Sequence, residues 1–273
     1  MRFLSLPIAA TSLVLVFFTA CSESDPSKSL LITGSSTVAP VVADAAQRYE
    51  KENPGLRIDV QTGGSSRGIS DSRSGLAQLG MASRALKADE NDIDAETIAM
   101  DGVCLIVHKD NPVKGLSRDE IAAIYQKKKS NWAEFGASNA DIVVASKAEG
   151  RATLEVFLGY TNLDSADIQA DVIVGENQQA IKTVAGNPNA IAYVSIGAAA
   201  SEAKAGTPIK LIYIDGIEPT TENVAKGTFP ITRPLNVITK GEGTELSRAF
   251  LEYLKSDKIR DIIETHLYVP VSQ

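Results

Sequence analysis

Residues 56–82 read LRIDVQTGGSSRGISDSRSGLAQLGMA, and the pattern in this stretch decides the fold. Residues 56–61 alternate apolar and polar side chains as a half-buried strand does, and Pro54-Gly55 breaks the chain before them. A loop rich in glycine and serine follows, then helical spacing over residues 69–79 and a short apolar strand over residues 79–82. The stretch therefore predicts a strand, a loop that opens a helix, and a second strand.

The same alternation of strand-like and helix-like segments continues over the rest of the chain. Ser117 with Glu120 after it has the capping-box pattern of a helix start. Alternating strands and helices predict an α/β fold with mainly parallel sheets. We predict further strands at residues 30–33, 101–108, 142–145, 191–195, 211–214 and 235–239, and further helices at residues 41–50, 117–125, 154–158, 178–184 and 245–255.

Three loops share one design, in which glycine and hydroxyl residues follow a predicted strand and open a predicted helix. They are residues 34–37 (GSST), 63–68 (GGSSRG) and 146–153 (SKAEGRAT). Helix N-termini present unpaired N–H groups and a partial positive charge, and small residues let an anion approach them. A single loop of this kind is most often an ordinary helix cap. Three in one α/β chain favour an anion site where the carboxyl ends of strands meet.

The first residues of the chain predict export. Met1-Arg2 supplies a positive charge, residues 4–18 are almost wholly apolar, and small residues precede Cys21. This order is typical of a signal peptide over residues 1–20. The cysteine resembles that of a bacterial lipobox, which implies lipid attachment to its thiol; ordinary cleavage beside an incidental cysteine is the alternative. With residues 21–28 as a polar tether, we expect a lipid-anchored protein of the cell envelope, on the periplasmic side or the cell surface.

The charge balance argues against nucleic acid as a partner. The chain of 273 residues has a formal net charge of −7, whereas phosphate backbones are bound by clustered cations. An anion would have to be held by locally directed donors rather than by bulk charge. If Cys21 is lipidated, Cys104 is the remaining cysteine and no internal disulfide can form.

The sequence lacks the marks of several catalytic classes. The loop GGSSRG does not have the Gly-Lys-Ser/Thr ending of an NTPase phosphate loop, no dinucleotide fingerprint occurs, and no cysteine–histidine cluster has zinc spacing. Cys104 and His108 lie four residues apart in one predicted strand, so their Cα atoms are about 13 Å apart. We therefore predict no enzyme, no metal and no cofactor.

Seven segments of the chain carry a family resemblance: ITGSSTVAPVV, VQTGGSSRGI, LGMASRAL, AMDGVCLIVHKDNPV, AAIYQKKKSNWAEFG, NPNAIAYVS and GTFPITRPLNVITKG. Together, and in this order, they resemble the PstS family, the phosphate-binding proteins of bacterial ABC importers. The resemblance implies a two-lobed periplasmic-binding-protein fold of type II, with the ligand in a cleft between lobes joined by two crossing segments. Lobe one would comprise residues 29–107 plus 233–273, and lobe two residues 108–232.

The resemblance also implies a ligand and partners. The ligand would be inorganic phosphate or a similar oxyanion such as sulfate, molybdate or arsenate. The partners would be the permease subunits of an ABC importer, and we expect a monomer. Two other functions stay open: an enzyme acting on phosphate esters, which would need a nucleophile with an adjacent base or metal ligands, and a phosphate-sensing lipoprotein.

Residues of the family's first three binding loops carry over as follows. Ser36 and Thr37 match the first phosphate-contacting loop, and Ser65 matches the serine of the second loop. Ser83 lies in the third loop with Arg84 beside it. Some relatives have an acidic residue at the Arg84 position that accepts the ligand's proton, and Asp101 is the candidate for that role here.

The fourth loop departs from the family pattern Arg-x-x-Gly-Ser-Gly-Thr. Gly150 and Thr153 are kept, but Lys147 replaces the arginine and Arg151 replaces the serine. A lysine is a point charge that cannot bind an oxyanion through two parallel donors. Three interpretations follow: Arg151 restores such a clamp from its neighbouring position, the site prefers another oxyanion, or it binds phosphate weakly.

Overall fold

The computed structural model describes residues 26–271. The predicted signal peptide, Cys21 and residues 21–25 of the predicted tether lie outside the described residues, while Pro26–Lys28 form a single 3-10 turn. Within residues 26–271, no helix combines the length and the apolar character that a membrane span requires.

The described chain contains eleven strands and nine α-helices. The strands are β1 (Ser29–Gly34), β2 (Arg57–Thr62), β3 (Leu79–Ala82), β4 (Asp94–His108), β5 (Gly115–Leu116), β6 (Val143–Lys147), β7 (Val172–Val174), β8 (Ala190–Ser195), β9 (Ile209–Ile214), β10 (Thr232–Thr239) and β11 (Val269–Pro270). The helices are α1 (Ala39–Glu52), α2 (Ser65–Ser74), α3 (Arg118–Tyr125), α4 (Ala152–Thr161), α5 (Asn177–Gly186), α6 (Ile196–Lys204), α7 (Thr221–Ala225), α8 (Glu245–Lys255) and α9 (Arg260–Thr265).

Most predicted elements are present, with their ends shifted. The capping box before α3 is confirmed, because the Ser117 hydroxyl accepts from the backbone N–H of Glu120 and the Glu120 carboxylate accepts from that of Ser117. The helix predicted at residues 69–79 instead begins at Ser65 and ends at Ser74, where Gly75 takes the left-handed conformation that terminates helices. The sequence did not predict helices α6, α7 and α9 or the short strands β5, β7 and β11.

The sheets are mixed rather than mainly parallel, which corrects the expectation from the sequence. β1 pairs in parallel with β2 and β3, and β6 pairs in parallel with β7 and β8. Among the strands described, each antiparallel pairing involves β4 or β10. These two strands run between the two halves of the molecule in opposite directions, so they pair antiparallel with each other.

Strand β4 connects the two halves. Its first part, from Asp94 to Gly102, pairs with β10, and its last part, from Val103 to His108, pairs with β8 and β9. The sequence predicted a strand only over residues 101–108 because just that part is a continuous apolar run. The first part mixes polar and apolar side chains and is only partly buried.

Two large hydrophobic clusters lie on either side of this crossing. One contains buried side chains between Leu30 and Ala99 and again between Leu235 and Tyr268, and we call this half lobe one. The other contains buried side chains between Val103 and Ile231, and we call this half lobe two. Four strands, β1, β2, β6 and β7, each lead through a loop into the N-terminus of a helix. These loops gather at the carboxyl ends of parallel strands, where open α/β sheets bind ligands.

Candidate anion-binding site

A small pocket lined mainly by buried residues lies where the strand ends of the two lobes meet. Its walls combine hydroxyls, glycines, backbone N–H groups, an amide and two basic side chains. Three helices, α2, α4 and α5, begin at its wall, so their N-terminal partial charges converge on it. The lining residues are Ser35, Ser36, Thr37, Gly64, Ser65 and Ser83 from lobe one, and Lys147, Arg151, Ala152, Thr153, Gly175 and Asn177 from lobe two.

Seven of the ten residues predicted from the sequence line this pocket. They are Ser36, Thr37, Ser65, Ser83, Lys147, Arg151 and Thr153. Gly150 stands just outside, where its carbonyl accepts from the backbone N–H of Ser66 at 3.2 Å. Arg84 and Asp101 do not line the pocket. Asn177 was not predicted, because a lone asparagine at a helix start resembles any helix cap.

The hydroxyls of lobe one hold one another in place. Ser35 Oγ donates to Ser83 Oγ at 3.0 Å and accepts from the backbone N–H of Thr37 at 3.2 Å. Ser65 Oγ accepts from the backbone N–H of Ser83 at 3.1 Å. The bend before Ser35 requires glycine, since a Cβ on Gly34, whose φ is +137°, would lie 2.2 Å from the carbonyl oxygen of Met81.

The lobes are closed around the pocket by polar contacts. Asn177 Nδ2 of lobe two donates to Thr37 Oγ1 of lobe one at 3.0 Å. At the rim, Glu155 of lobe two forms ion pairs with Arg84 at 3.2 Å and with Lys87 at 2.6 Å, both from lobe one. The pocket is therefore formed only when the two lobes are together.

The guanidinium of Arg84, which we expected from the sequence among the ligand-binding residues, points away from the pocket. It forms a bidentate ion pair with Glu90, with distances of 2.7 and 2.8 Å, in addition to its contact with Glu155. Hydrogen bonds from Arg84 lower the pKa of the Glu90 carboxyl to about 2. Arg84 therefore stabilises lobe one and its contact with lobe two rather than supplying charge to the pocket.

Arg233 is the cation that sequence reasoning missed. It lies at the start of β10, and its ion pair with Asp101 of β4 is 2.9 Å long with both side chains only 1% exposed. A buried arginine in an apolar strand segment, Arg233-Pro234-Leu235, was the available signal, since an arginine is rarely buried without a partner. Because Asp101 is bound to Arg233, its carboxylate does not reach the pocket wall as the expected proton acceptor would.

Lys147 supplies a buried ammonium with no hydrogen-bond partner for Nζ among the residues described. The residue is only 3% exposed. Burial lowers the pKa of Lys147 to about 7, assisted by the positive charges of Arg233 and Arg151 and opposed by Glu176. The side chain is therefore poised to gain a proton when a negative charge enters the pocket.

Arg151 lies across the pocket between the two lobes and is already paired. Its Nη1 contacts Glu176 Oε1 at 2.5 Å. Its side chain packs against Gly64 and Gly175, where a Cβ would lie 2.9 and 3.1 Å from Arg151 atoms. Arg151 therefore closes the pocket, and its charge is shared with Glu176 instead of forming a free anion clamp.

A larger groove of about 600 Å³ adjoins the pocket between the lobes, but its chemistry does not suit an anion. It is lined mainly by small and apolar groups of α1, α5 and α6, contains the carboxylates of Glu176 and Glu202, and has no lysine or arginine in its wall. The small pocket, not this groove, holds the cations. Within residues 26–271, no group of three or more histidine, cysteine, aspartate or glutamate side chains is placed to hold a metal ion.

Comparison with known proteins places this geometry in a family. The model of a PBP superfamily domain matches residues 20–258. The phosphate-binding protein PstS of Bacillus subtilis is 33% identical over 259 residues, which cover 93% of this chain and 84% of the relative.

Solved structures agree with this match. A substrate-binding protein of Clostridium perfringens with bound phosphate has a TM-score of 0.83 and 32% identity, over 89% of this chain and 100% of that chain. An ABC-type phosphate transport receptor of Vibrio cholerae has a TM-score of 0.73 and 28% identity, over the same shares. The fold is therefore the two-lobed periplasmic-binding-protein fold, and the chain belongs to the PBP superfamily and, within it, to the family of PstS phosphate-binding proteins.

Proposed function

We propose that this chain captures inorganic phosphate in the closed pocket and delivers it to an ABC importer. The observation that carries the proposal is the convergence, on one small pocket, of hydroxyl groups from both lobes with the ammonium of Lys147, which has no hydrogen-bond partner among the residues described. The relatives named as phosphate-binding proteins, and the neighbour solved with phosphate, support the same ligand.

Neutral hydrogen-bond donors and the titratable side chain of Lys147 would hold the anion. Ser36, Thr37, Ser65, Ser83 and Thr153 offer hydroxyls. The N-termini of α2, α4 and α5 offer backbone N–H groups and partial positive charge. Lys147 becomes fully charged as the anion binds, while Arg151, paired with Glu176, keeps water out. Charge-assisted hydrogen bonds of this kind are about twice as strong as neutral ones.

Opening and closing would move the lobes about the two crossing strands. β4 and β10 link the lobes, so rotation where they leave one sheet and enter the other would separate Thr37 from Asn177 and expose the pocket. Phosphate binding then favours the closed form because donors from both lobes touch it. The closed form presents both lobes together to the permease.

We further propose that the protein works outside the cytoplasm as a monomer held by a lipid on Cys21. The predicted signal peptide, the polar tether and the PstS relatives support this location. Mass spectrometry of the mature protein tests it. A diacylglyceryl modification at Cys21 is expected, whereas an unmodified N-terminus beyond Cys21 would refute the anchor.

No bond is made or broken in the proposed function. Residues 64–68 (GSSRG) have the G-x-S-x-G spacing of a hydrolase nucleophile, which makes Ser66 the residue to check. Among the residues described, no hydrogen bond joins the Ser66 hydroxyl to a histidine or a carboxylate, as an activated nucleophile requires. Turnover of a chromogenic phosphate ester by the purified protein would contradict the binding role.

Calorimetric titration of the mature protein with phosphate, after unfolding and refolding to remove bound anion, tests the proposal. We expect tight binding with one site per chain. Ser65→Ala should weaken binding about 10- to 100-fold, because a hydrogen bond to a charged group is lost. Ser70→Ala, on the exposed side of the same helix, is the matched control and should bind as the unmodified protein does. The absence of phosphate binding would refute the proposal.

A further inference from the structure

Three basic side chains lie at the pocket or directly behind it, and two of them are paired with a carboxylate. Arg233 forms its ion pair with Asp101 at 2.9 Å. Arg151 Nη1 donates to Glu176 Oε1 at 2.5 Å. The third, Lys147, has no hydrogen-bond partner for Nζ within residues 26–271. Each pair is close to neutral, so the positive charge left over at the pocket is that of Lys147.

Glu176 lies where it can act on both cations of the pocket wall. It stands directly before α5 and after the lining residue Gly175, and the backbone N–H groups of Gly175 and Glu176 donate to Gln179 Oε1 at 2.7 and 3.1 Å. Its Oε1 is bound by Arg151, whereas its Oε2 is buried without a hydrogen-bond partner in the described part of the chain. Burial lowers the pKa of Lys147, and the Glu176 carboxylate opposes that shift.

Arg151 has donors to spare for an anion. A guanidinium carries five N–H groups, and among the residues described the Arg151 side chain makes one hydrogen bond, to Glu176. It is held against Gly64 of lobe one and Gly175 of lobe two, where a Cβ would lie 2.9 and 3.1 Å from Arg151 atoms. Because this side chain lines the pocket, the carboxylate that neutralises it limits its attraction for an anion.

We infer that Glu176 is a positioning residue that sets the phosphate affinity: it holds Arg151 in a neutral pair at the pocket wall and keeps the affinity below the value that Arg151 and Lys147 together would give. This inference rests on the proposed function and deepens it. Glu176 is an internal anion that competes with phosphate for the guanidinium. Its buried Oε2 also repels an entering dianion, because charges in buried places are screened little.

Calorimetric titration with phosphate at about pH 6 tests the inference on the refolded mature protein. At this pH, roughly one unit below the pKa of Lys147, the lysine is mainly charged. Glu176→Gln keeps the shape of the side chain and removes its charge. A charge within about 4–6 Å changes the energy of an ionised group by about one to three pKa units, so the Kd for phosphate should fall at least about tenfold.

Glu202→Gln is the matched control. This carboxylate lies in the wall of the adjoining groove and accepts from Gln178 and Thr207, so it pairs with no cation of the pocket. The variant loses the same charge as Glu176→Gln, and its Kd for phosphate should stay within about twofold of the unmodified protein.

Two readouts separate this role from a merely structural one. In Glu176→Gln the pKa of Lys147 should fall further, because the group that opposes its lowering is gone. Proton uptake per phosphate at pH 7 should then rise from about one half toward one, while the contribution of free phosphate is the same in both proteins. Arg151→Met leaves Glu176 unpaired beside the pocket and should weaken binding. Adding Glu176→Gln to Arg151→Met should recover at least about tenfold in affinity.

Glu176→Ser, which keeps a capping side chain without charge, serves if Glu176→Gln does not fold. Unchanged phosphate affinity in these variants would overturn the inference alone, and so would weaker binding, the result expected if Glu176 accepted a proton from the ligand. A double variant that binds no more tightly than Arg151→Met would also overturn it. Failure of the unmodified protein to bind phosphate would refute the proposed function and the inference with it.

Discussion

Proton uptake by Lys147 should make anion binding depend on pH above neutrality. The pKa of this side chain in the free protein is lowered to about 7, because burial disfavours the charged form. A bound dianion favours the charged form, so the pKa of Lys147 in the complex should rise well above that value. Well below pH 7 the lysine is charged in both states, so its own protonation contributes no pH dependence there. Above pH 7, binding must also supply a proton, so affinity falls.

The size of the effect follows from the lowered pKa. With a free-state pKa of about 7, roughly 0.9 of the Lys147 side chains are neutral at pH 8, so binding should take up about 0.9 proton per phosphate. Between pH 8 and 9 the Kd should rise about tenfold, equivalent to about 1.4 kcal/mol. Phosphate remains mainly a dianion over this range. The charged groups that act on Lys147 are Arg233, Glu176 and Arg151.

Calorimetric titration of phosphate at pH 8 and 9, in two buffers of different ionisation enthalpy, measures both quantities. Lys147→Arg is the matched variant, because a guanidinium stays charged throughout. It should abolish the proton uptake and flatten the pH dependence, while Lys147→Met should weaken binding at every pH. A constant Kd in the unmodified protein, or equal proton uptake in Lys147→Arg, would refute the reasoning.

Three further predictions concern closure and stability. Glu155→Gln removes the ion pair with Arg84 across the lobes, so phosphate affinity should fall about fivefold, equivalent to about 1 kcal/mol, as titration would measure. Glu90→Gln should lower the free energy of unfolding at pH 7 by about 2–3 kcal/mol. Because the pKa of Glu90 is depressed to about 2, that stabilisation exists above pH 4.5 and is lost toward pH 2. Gly34→Ala places a Cβ against the carbonyl of Met81, so urea denaturation should reveal a loss of more than about 2 kcal/mol.

Matched variants separate these effects from general damage. Glu264→Gln breaks a surface pair with Arg260 within lobe one and should leave phosphate affinity unchanged. Gly159→Ala adds a Cβ in α4 where no atom lies within 4 Å, so it should not destabilise the protein. An unchanged phosphate affinity in Glu155→Gln would contradict the argument about closure. If Glu90→Gln lowers the free energy of unfolding as much at pH 2 as at pH 7, the ion-pair argument is wrong. A Gly34→Ala variant as stable as the unmodified protein would contradict the steric argument.

The local pattern predicted much of the pocket because its parts are local. Each of the three loops joins a strand to a helix. Small hydroxyl residues at three helix starts of one chain favour an anion-binding site over ordinary helix caps. The three loops hold Ser36, Ser65 and Thr153, which the family resemblance singled out and which line the pocket in the structure. It missed Asn177 and Arg233, because neither lies in a loop of that design.

Arg84 and Arg233 are residues whose contacts the local pattern did not predict. Both are arginines beside predicted strand ends. Chain position alone favours Arg84 as the arginine that contacts the pocket, because it follows Ser83 directly. In the structure Arg84 turns to Glu90 and Glu155, whereas Arg233, 150 residues from Ser83 in the chain, contacts the Ser83 hydroxyl. The direction of a long side chain depends on where its acidic partners lie, and those partners come from other parts of the chain.

The sequence by itself determined the alternation of strands and helices, the anion-binding character of the loops and the chain's family resemblance, because these depend on residues close together in the chain. Only the tertiary structure decided that β4 and β10 pair antiparallel between the lobes, that Arg233 is held by Asp101 behind the pocket, and that Lys147 Nζ has no hydrogen-bond partner within residues 26–271. The physical reason is that burial and pairing of charges depend on distances between segments far apart in sequence, which no local pattern specifies.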